Sequence, residues 1–273
     1  MTLVNPRKYR LAAFDLDGTL LGPDTTISPA NRKAVERLHQ TGVEIVLASG
    51  RHHANVQKIA ESLPSVRWIV SSQGGEVSDI NRRQRLHEVF LEPTLSRKAV
   101  LLGLKLGFSI IVYANDNVRA TAENEDVHFY ARLAGNIPTG YSPDALLTGS
   151  IFKIIWIGNN TAQFEALAFN SELASLNATK VRTHQRLFEI MPPDVTKGSA
   201  LAVLAKHLGI DSRDAAVFGD GENDIPMFAW AGTSVAMPHG WSAARECATF
   251  VAPPGPPETA LARGIEMLWP NAS

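Results

Sequence analysis

Short apolar runs alternating with amphipathic stretches dominate the first third of the chain. Leu11-Ala12-Ala13-Phe14 carries no polar side chain and is bounded by polar residues, the pattern of a strand buried on both faces. Ser28-Pro29 then reads as an N-cap and a first-turn proline, Ala34, Val35 and Leu38 make a helical stripe, and Gly42 closes it. Residues 43–48 form a second apolar run, Val56, Ile59, Ala60 and Leu63 a second stripe, and Trp68-Ile69-Val70 a third strand. This βαβαβ order predicts a parallel sheet with right-handed crossovers.

The pattern then changes. Residues 76–80 and 86–91 read as hairpin arms around the polar turn Asn81-Arg82-Arg83-Gln84-Arg85. From about residue 92 a separate block begins. It holds a helix over 95–106, a strand over 108–113, a polar turn at Asn115-Asp116-Asn117, a strand over 152–157 and a helix over 161–176. Val181 and residues 187–191 add strand pieces. From Lys197 the first pattern resumes: Ala200, Leu201, Leu204, Ala205 and Leu208 form a stripe that Gly209 ends. A buried strand over 215–218, a helix to Ala231, short strands over 234–237 and 250–252, and a proline-rich loop before a last helix complete it. The expected fold class is α/β. A Rossmann-like doubly wound parallel-sheet core (residues 1–88 and 187–273) is interrupted by a second α/β domain (residues 89–186).

Composition narrows the picture. The chain is 45% hydrophobic and 19% charged, ordinary for a globular protein. Lys plus Arg total 26 against 27 Asp plus Glu, a net charge of −1, so neither nucleic acid nor an anionic membrane is expected as a partner. Cys247 is the single cysteine, which excludes an internal disulfide and points to a cytoplasmic setting. Residues 1–10 contain no apolar signal core. The longest apolar stretch, residues 99–113, is interrupted by Lys105 and Ser109 and is too short to span a bilayer.

Candidate chemistry lies where strands run into helices. Asp15-Leu16-Asp17-Gly18-Thr19-Leu20 follows the first strand directly, so two carboxylates leave a buried strand end together. Such a pair is electrostatically costly unless a cation lies between its members. The glycine permits a sharp turn and close approach of a ligand. A calcium-hand reading fails, since that loop needs glycine at its sixth position and here glycine is fourth in the motif. Ala48-Ser49-Gly50-Arg51 ends the second strand and offers a hydroxyl and helix-start N–H groups, an anion site; alone, it reads as an ordinary N-cap. Lys197 follows Thr196, a candidate N-cap, and a cation in the first turn opposes the helix dipole by roughly 0.3–1 kcal/mol. The bland alternative is a solvated surface lysine. Gly219-Asp220-Gly221-Glu222-Asn223-Asp224 brings more carboxylates to another strand end. Strand ends of one parallel sheet are neighbours, and ligands of open α/β sheets bind there. Carboxylates, a hydroxyl, N–H groups and an ammonium suit Mg²⁺ and a phosphate oxygen, hence phosphoryl transfer.

On these motifs, with Ile225-Pro226-Met227 continuing the last, the chain resembles haloacid-dehalogenase-superfamily phosphatases of the Cof type. These carry a larger α/β (type IIB) cap after the third core strand. The resemblance implies that Asp15 is the nucleophile that becomes an aspartyl-phosphate and that Asp17 serves as general acid and then base. It implies Mg²⁺ held by Asp15, the backbone carbonyl of Asp17, and Asp220. Ser49, the Gly50 and Leu16 N–H groups and Lys197 would hold the phosphoryl group. Asn223 would contact phosphate or a metal-bound water, Asp224 would support Lys197 or a metal-bound water, and Gly18, Thr19 and Arg51 would support the site. The cap is expected to close over the core, exclude water and select the leaving group of a small phosphorylated metabolite, a sugar phosphate or similar monoester. A phosphomutase or phosphotransferase using the same aspartate, and a non-catalytic metabolite-binding module, remain as alternatives.

Two loops depart from the family pattern. Gln73-Gly74-Gly75 stands where relatives commonly have Asn-Gly-Ala, and Pro238-His239-Gly240 where they show a small residue followed by Asn-Ala. His52-His53 read as exposed residues at a helix start. Tyr113, His128, Tyr130 and Arg132 read either as pocket residues or as half-buried surface groups, and Trp156 and Trp230 as packing residues.

Overall fold

The computed structural model describes residues 9–270 except 115–116, 136–137 and 142–144. Asn115-Asp116 of the expected polar turn therefore lies outside the described residues. The chain divides into two compact units, one running to His87 and resuming at Thr196, the other Glu88–Val195.

The first unit contains β1 (Leu11–Phe14), α1 (Pro29–Gln40), β2 (Glu44–Ala48), α2 (His53–Ala60), β3 (Val66–Ser71), β4 (Glu76–Asp79) and β5 (Arg85–Glu88). The second holds α3 (Pro93–Lys105), β6 (Ser109–Ala114), β7 (Asn117–Ala120), α4 (Glu125–Ala134), β8 (Gly140–Tyr141), β9 (Ile151–Ile157), α5 (Thr161–Ala166), α6 (Ser171–Ala174), β10 (Thr179–His184) and β11 (Leu187–Met191). The first unit then resumes with α7 (Lys197–Leu208), β12 (Ala215–Gly219), α8 (Ile225–Trp230), β13 (Thr233–Ala236), α9 (Ser242–Cys247), β14 (Phe250–Val251) and α10 (Ala260–Leu268).

In the first unit an 8-stranded sheet has the order β14-β13-β12-β1-β2-β3-β4-β5. Its strands from β14 to β3 are parallel, and β4 joins antiparallel to β3. β1 lies inside, with Ala13 opposite both Val217 and Val46. Its wholly apolar sequence follows from that position. Ala12 and Phe14 pack on one face with Val35, Leu38, Leu261 and Ile265, while Leu11 and Ala13 pack on the other with Leu201, Leu204 and Met227. Helices cover both faces, as a doubly wound α/β core requires. Ser28 caps α1 by accepting from the Asn31 N–H at 3.1 Å, ahead of Pro29.

The second unit has a 6-stranded sheet in the order β10-β11-β9-β6-β7-β8, antiparallel except for β7 against β8. Ile154 and Trp156 of β9 pack with Ala99, Leu102 and Phe164, and Ile155 and Ile157 with Val127 and Tyr130.

Two expectations change here. Residues 187–191, assigned by pattern to the core, form β11 and pair with β9 and β10, so the second unit extends to Val195 rather than 186. An apolar run names a strand but not the sheet it joins. The helix expected over 161–176 is broken into α5, a 3₁₀ turn at Leu167–Phe169, and α6. Asn170 interrupts it by accepting from the Leu173 N–H at 2.7 Å, a side-chain bond that competes with helix continuation.

Candidate active site

The ends of β1, β2 and β12 and the start of α7 supply the site. Beyond Phe14 the ladder continues for one step, with the Asp15 N–H donating to the Phe218 carbonyl at 2.9 Å. Asp15 is thereby fixed at the strand end and is 5% exposed. The chain then turns tightly, the Leu20 N–H returning to the Asp15 carbonyl at 3.2 Å. Leu16 buries its side chain in the core, which leaves only its backbone for the site. Thr19 is buried as well. Gly18 has φ +80°, and a Cβ there would collide with the Asp220 carboxylate. Glycine is what lets the β1 and β12 loops meet.

Lys197 opens α7. Thr196 and Ser199 form a reciprocal cap, each backbone N–H donating to the other's hydroxyl at 3.0 Å. The Lys197 side chain is wholly buried, so the solvated reading fails. Its Nζ donates to Asp15 Oδ1 at 2.5 Å and to Asp224 Oδ1 at 2.6 Å. Two carboxylates thus offset the dipole penalty. Asp224 is fixed in turn, Oδ2 accepting from the Asp220 and Gly221 N–H groups at 2.9 and 3.0 Å. Asp224 thus links Lys197 to the backbone of the β12 loop.

Ser49 follows β2 and is buried; its hydroxyl accepts from the Arg51 N–H at 3.1 Å. The Arg51 guanidinium grips Asp17 with both arms, Nε to Oδ2 at 2.8 Å and Nη2 to Oδ1 at 2.5 Å. Asp17 remains half exposed. Asn223 Nδ2 donates to Gln73 Oε1 at 3.1 Å. His239 Nε2 meets the Gly18 carbonyl at 2.8 Å. Gln73 and His239 were not among the sequence candidates, although both lie in the loops that depart from the family pattern. That departure was the available signal.

His52 and His53 correct the expectation of exposure, being 3% and 1% exposed. His52 caps α2, while His53 Nε2 donates to the Ile80 carbonyl at 3.0 Å and its Nδ1 faces Ser78 and Glu76. Neither is a surface group. Tyr113 and Tyr130 are also buried, with their hydroxyls hydrogen-bonded to one another.

Charge at the site is unbalanced. Carboxylate oxygens of Asp15, Asp220 and Asp224 lie within 4.8 Å of one another, and Lys197 is the cation among them. Burial pushes Asp15 up to about 7, with Lys197 opposing and Asp224 and Asp17 adding to the rise. Asp220 is raised well above the usual carboxylate range by burial and by the charges of Asp15 and Asp224. Burial alone would lower Lys197, but Asp15 and Asp224 outweigh it and raise it. No hydrogen bond reaches the Asp220 carboxylate among the described residues. Clustered hard oxygens with excess negative charge fit a divalent cation such as Mg²⁺.

Residues 12–259 match the family model described as haloacid dehalogenase-like hydrolase. The chain belongs to the haloacid dehalogenase-like hydrolase family. It is an enzyme, a HAD-like phosphatase. It is 29% identical over 233 residues to a protein of Cronobacter sakazakii named HMP-PP phosphatase, covering 84% of each chain. It is 28% identical over 240 residues to the protein of that name from Escherichia coli, again covering 84% of each. Among solved structures, a HAD subclass IIB sugar phosphatase superposes with a TM-score of 0.85 at 19% identity, covering 95% of this chain and 99% of the other. A protein of Thermotoga maritima gives 0.79 at 24% identity over 95% and 97%. Both structural likenesses show the fold. Among the described residues no helix is long and apolar enough to cross a membrane.

Proposed function

We propose that this phosphatase hydrolyses small phosphorylated metabolites, sugar phosphates or similar monoesters, through an aspartyl-phosphate on Asp15. The observation that carries the reading is the wholly buried Lys197 ammonium held between Asp15 and Asp224, with Asp220 beside them. A lysine so placed fixes one Asp15 oxygen and presents positive charge at a strand end.

In the first half-reaction a carboxylate oxygen of Asp15 forms a bond to phosphorus and the bond from phosphorus to the leaving oxygen breaks. Asp17 gives that oxygen a proton. In the second, Asp17 takes a proton from water, whose oxygen attacks the aspartyl-phosphate, releasing phosphate and restoring the Asp15 carboxylate. The Ser49 hydroxyl, the Leu16 and Gly50 N–H groups, Asn223 and Lys197 hold the phosphoryl oxygens. Asp15, the Asp17 carbonyl and Asp220 would hold Mg²⁺, which supplies charge neutralisation between phosphate and carboxylates. Arg51 orients Asp17, and Asp224 orients Lys197. The second unit is assigned the family's cap role, choosing the leaving group. The single cysteine fits a reducing, cytoplasmic setting.

A screen of purified protein against phosphorylated metabolites tests this, with Asp15→Asn as the blank. Phosphate release that needs Mg²⁺, stops with EDTA and falls at least about 10⁴-fold in Asp15→Asn is expected. Turnover that survives in Asp15→Asn, with deamidation excluded by mass spectrometry, removes Asp15 from the nucleophile's role.

A further inference from the structure

β3 ends in a corner found nowhere else among the described residues. Ser72, Gln73 and Gly74 take φ values of 52°, 62° and 104° in succession. The other left-handed non-glycine residues, Thr25, Arg82 and Asp194, have no left-handed non-glycine neighbour. Two consecutive side chains in this region are strained, and such strain persists only where the surroundings impose it. The Ser72 hydroxyl is buried without a partner, so Ser72's own side chain does not stabilise the turn.

The corner's contacts reach three of the segments that carry candidate phosphate groups. The Ser72 N–H donates to the Arg51 carbonyl at 2.9 Å and the Gln73 N–H to the Ser49 carbonyl at 3.1 Å. The Gln73 side chain, 3% exposed, lies against the α-carbon of Gly50, where a Cβ would collide with it. Its Oε1 accepts from Asn223. Gly74 abuts the carbonyl of Thr196, the residue before Lys197. One strained corner thus spaces the Ser49-Gly50 loop, Asn223 and the start of α7.

We infer that Gln73 is a positioning residue of the active site, one that sets Asn223 against the Ser49-Gly50 loop and for which the strained corner is kept. This rests on the phosphatase reading above. A displacement near 1 Å in such a site lowers turnover by as much as ~10²-fold. A bystander in the fold would couple activity to stability, whereas a positioning residue uncouples them.

The test is a double-mutant cycle on kcat/KM with thermal melting in parallel, using Gln73→Met, Asn223→Ala and the double variant, with Asp15→Asn as reference. Gln73→Met keeps the length and loses the acceptor. It is expected to lower kcat/KM about 10-fold or more in the native background and less than about threefold in the Asn223→Ala background, with kcat carrying most of the loss. Melting temperatures are expected to stay close to the native value. Gln73→Asn, a residue that tolerates left-handed φ, serves where Gln73→Met does not fold. It should melt like the native protein and still lose activity. Equal losses in both backgrounds, activity within twofold of native, or activity falling only with the folded fraction overturns the inference. An inert Asp15→Asn beside an additive cycle sinks this inference alone, and an active Asp15→Asn sinks the phosphatase reading beneath it.

Discussion

Each unit buries a lysine against carboxylates, with opposite balances. In the second unit Lys153, 1% exposed, donates to Glu189 Oε2 at 2.9 Å and sits over the Tyr113 ring at 4.6 Å, while Thr183 donates to the other Glu189 oxygen at 3.1 Å. One cation meets one carboxylate, and each has further partners. In the first unit Lys197 meets Asp15 and Asp224 with Asp220 alongside, leaving negative charge in excess. A balanced buried pair shapes a fold and asks nothing more of its surroundings. An unbalanced one is stable only if protons or a cation complete it, and this is the mark of a site that binds something. Buried charge alone is therefore a poor guide to function, and its surplus a better one.

The largest effect should come from Lys197→Met. It removes the cation from the unbalanced cluster, so turnover should fall at least about 10³-fold and stability by about 3–5 kcal/mol, read from phosphate release and urea unfolding. Native-like activity in this variant would erase the contrast between the two lysines. Next, Glu189→Gln should cost about 3 kcal/mol by leaving Lys153 without its counter-charge, while Lys153→Met with Glu189→Leu should return most of that loss. A double variant as unstable as the two single losses added together would show that this pair, too, is more than a balanced exchange. The smallest effect concerns His53. Burial, with Arg82 and Arg85 contributing, lowers its pKa despite the nearby Glu76. The folded protein keeps it neutral where the unfolded chain takes up a proton near pH 6.5. Its contribution to stability is therefore constant above about pH 6.5 and declines as pH falls below that value. Melting curves from pH 7.5 to 5.5 should show a shallower decline in His53→Asn than in the native protein; parallel curves would place the titration elsewhere.

The two lysines also differ in how they stand in the sequence. Lys197 is legible because it follows a cap residue at a helix start and opposes the helix dipole, and because acidic motifs at other strand ends offer candidate partners. Lys153 lies in Phe152-Lys153-Ile154-Ile155-Trp156-Ile157, a run that reads as a strand whether or not its lysine is paired. Glu189 is equally plain within β11. Their meeting depends on the register of β11 against β9, which sets Glu189 opposite Ile155, and register between distant strands leaves no local trace. The same limit explains the boundary at residue 195 and the burial of His52 and His53. His53 looks exposed until the β4 hairpin brings Ser78, Glu76 and Ile80 against it. Gln73 was visible only as an unusual residue; its left-handed backbone and its contact with Asn223 arise from the convergence of loops.

The chain's own pattern determined the strands of the first sheet, the caps Ser28 and Thr196, and the acidic motifs at strand ends. Each depends on neighbours within a few residues, through periodicity, capping and backbone sterics. Which carboxylates share Lys197, how Arg51 takes hold of Asp17 and where the chain returns from the second unit were decided by the tertiary structure. Those outcomes depend on which distant strand ends pack side by side, and the electrostatic energy of a buried charge is set by whatever arrives there.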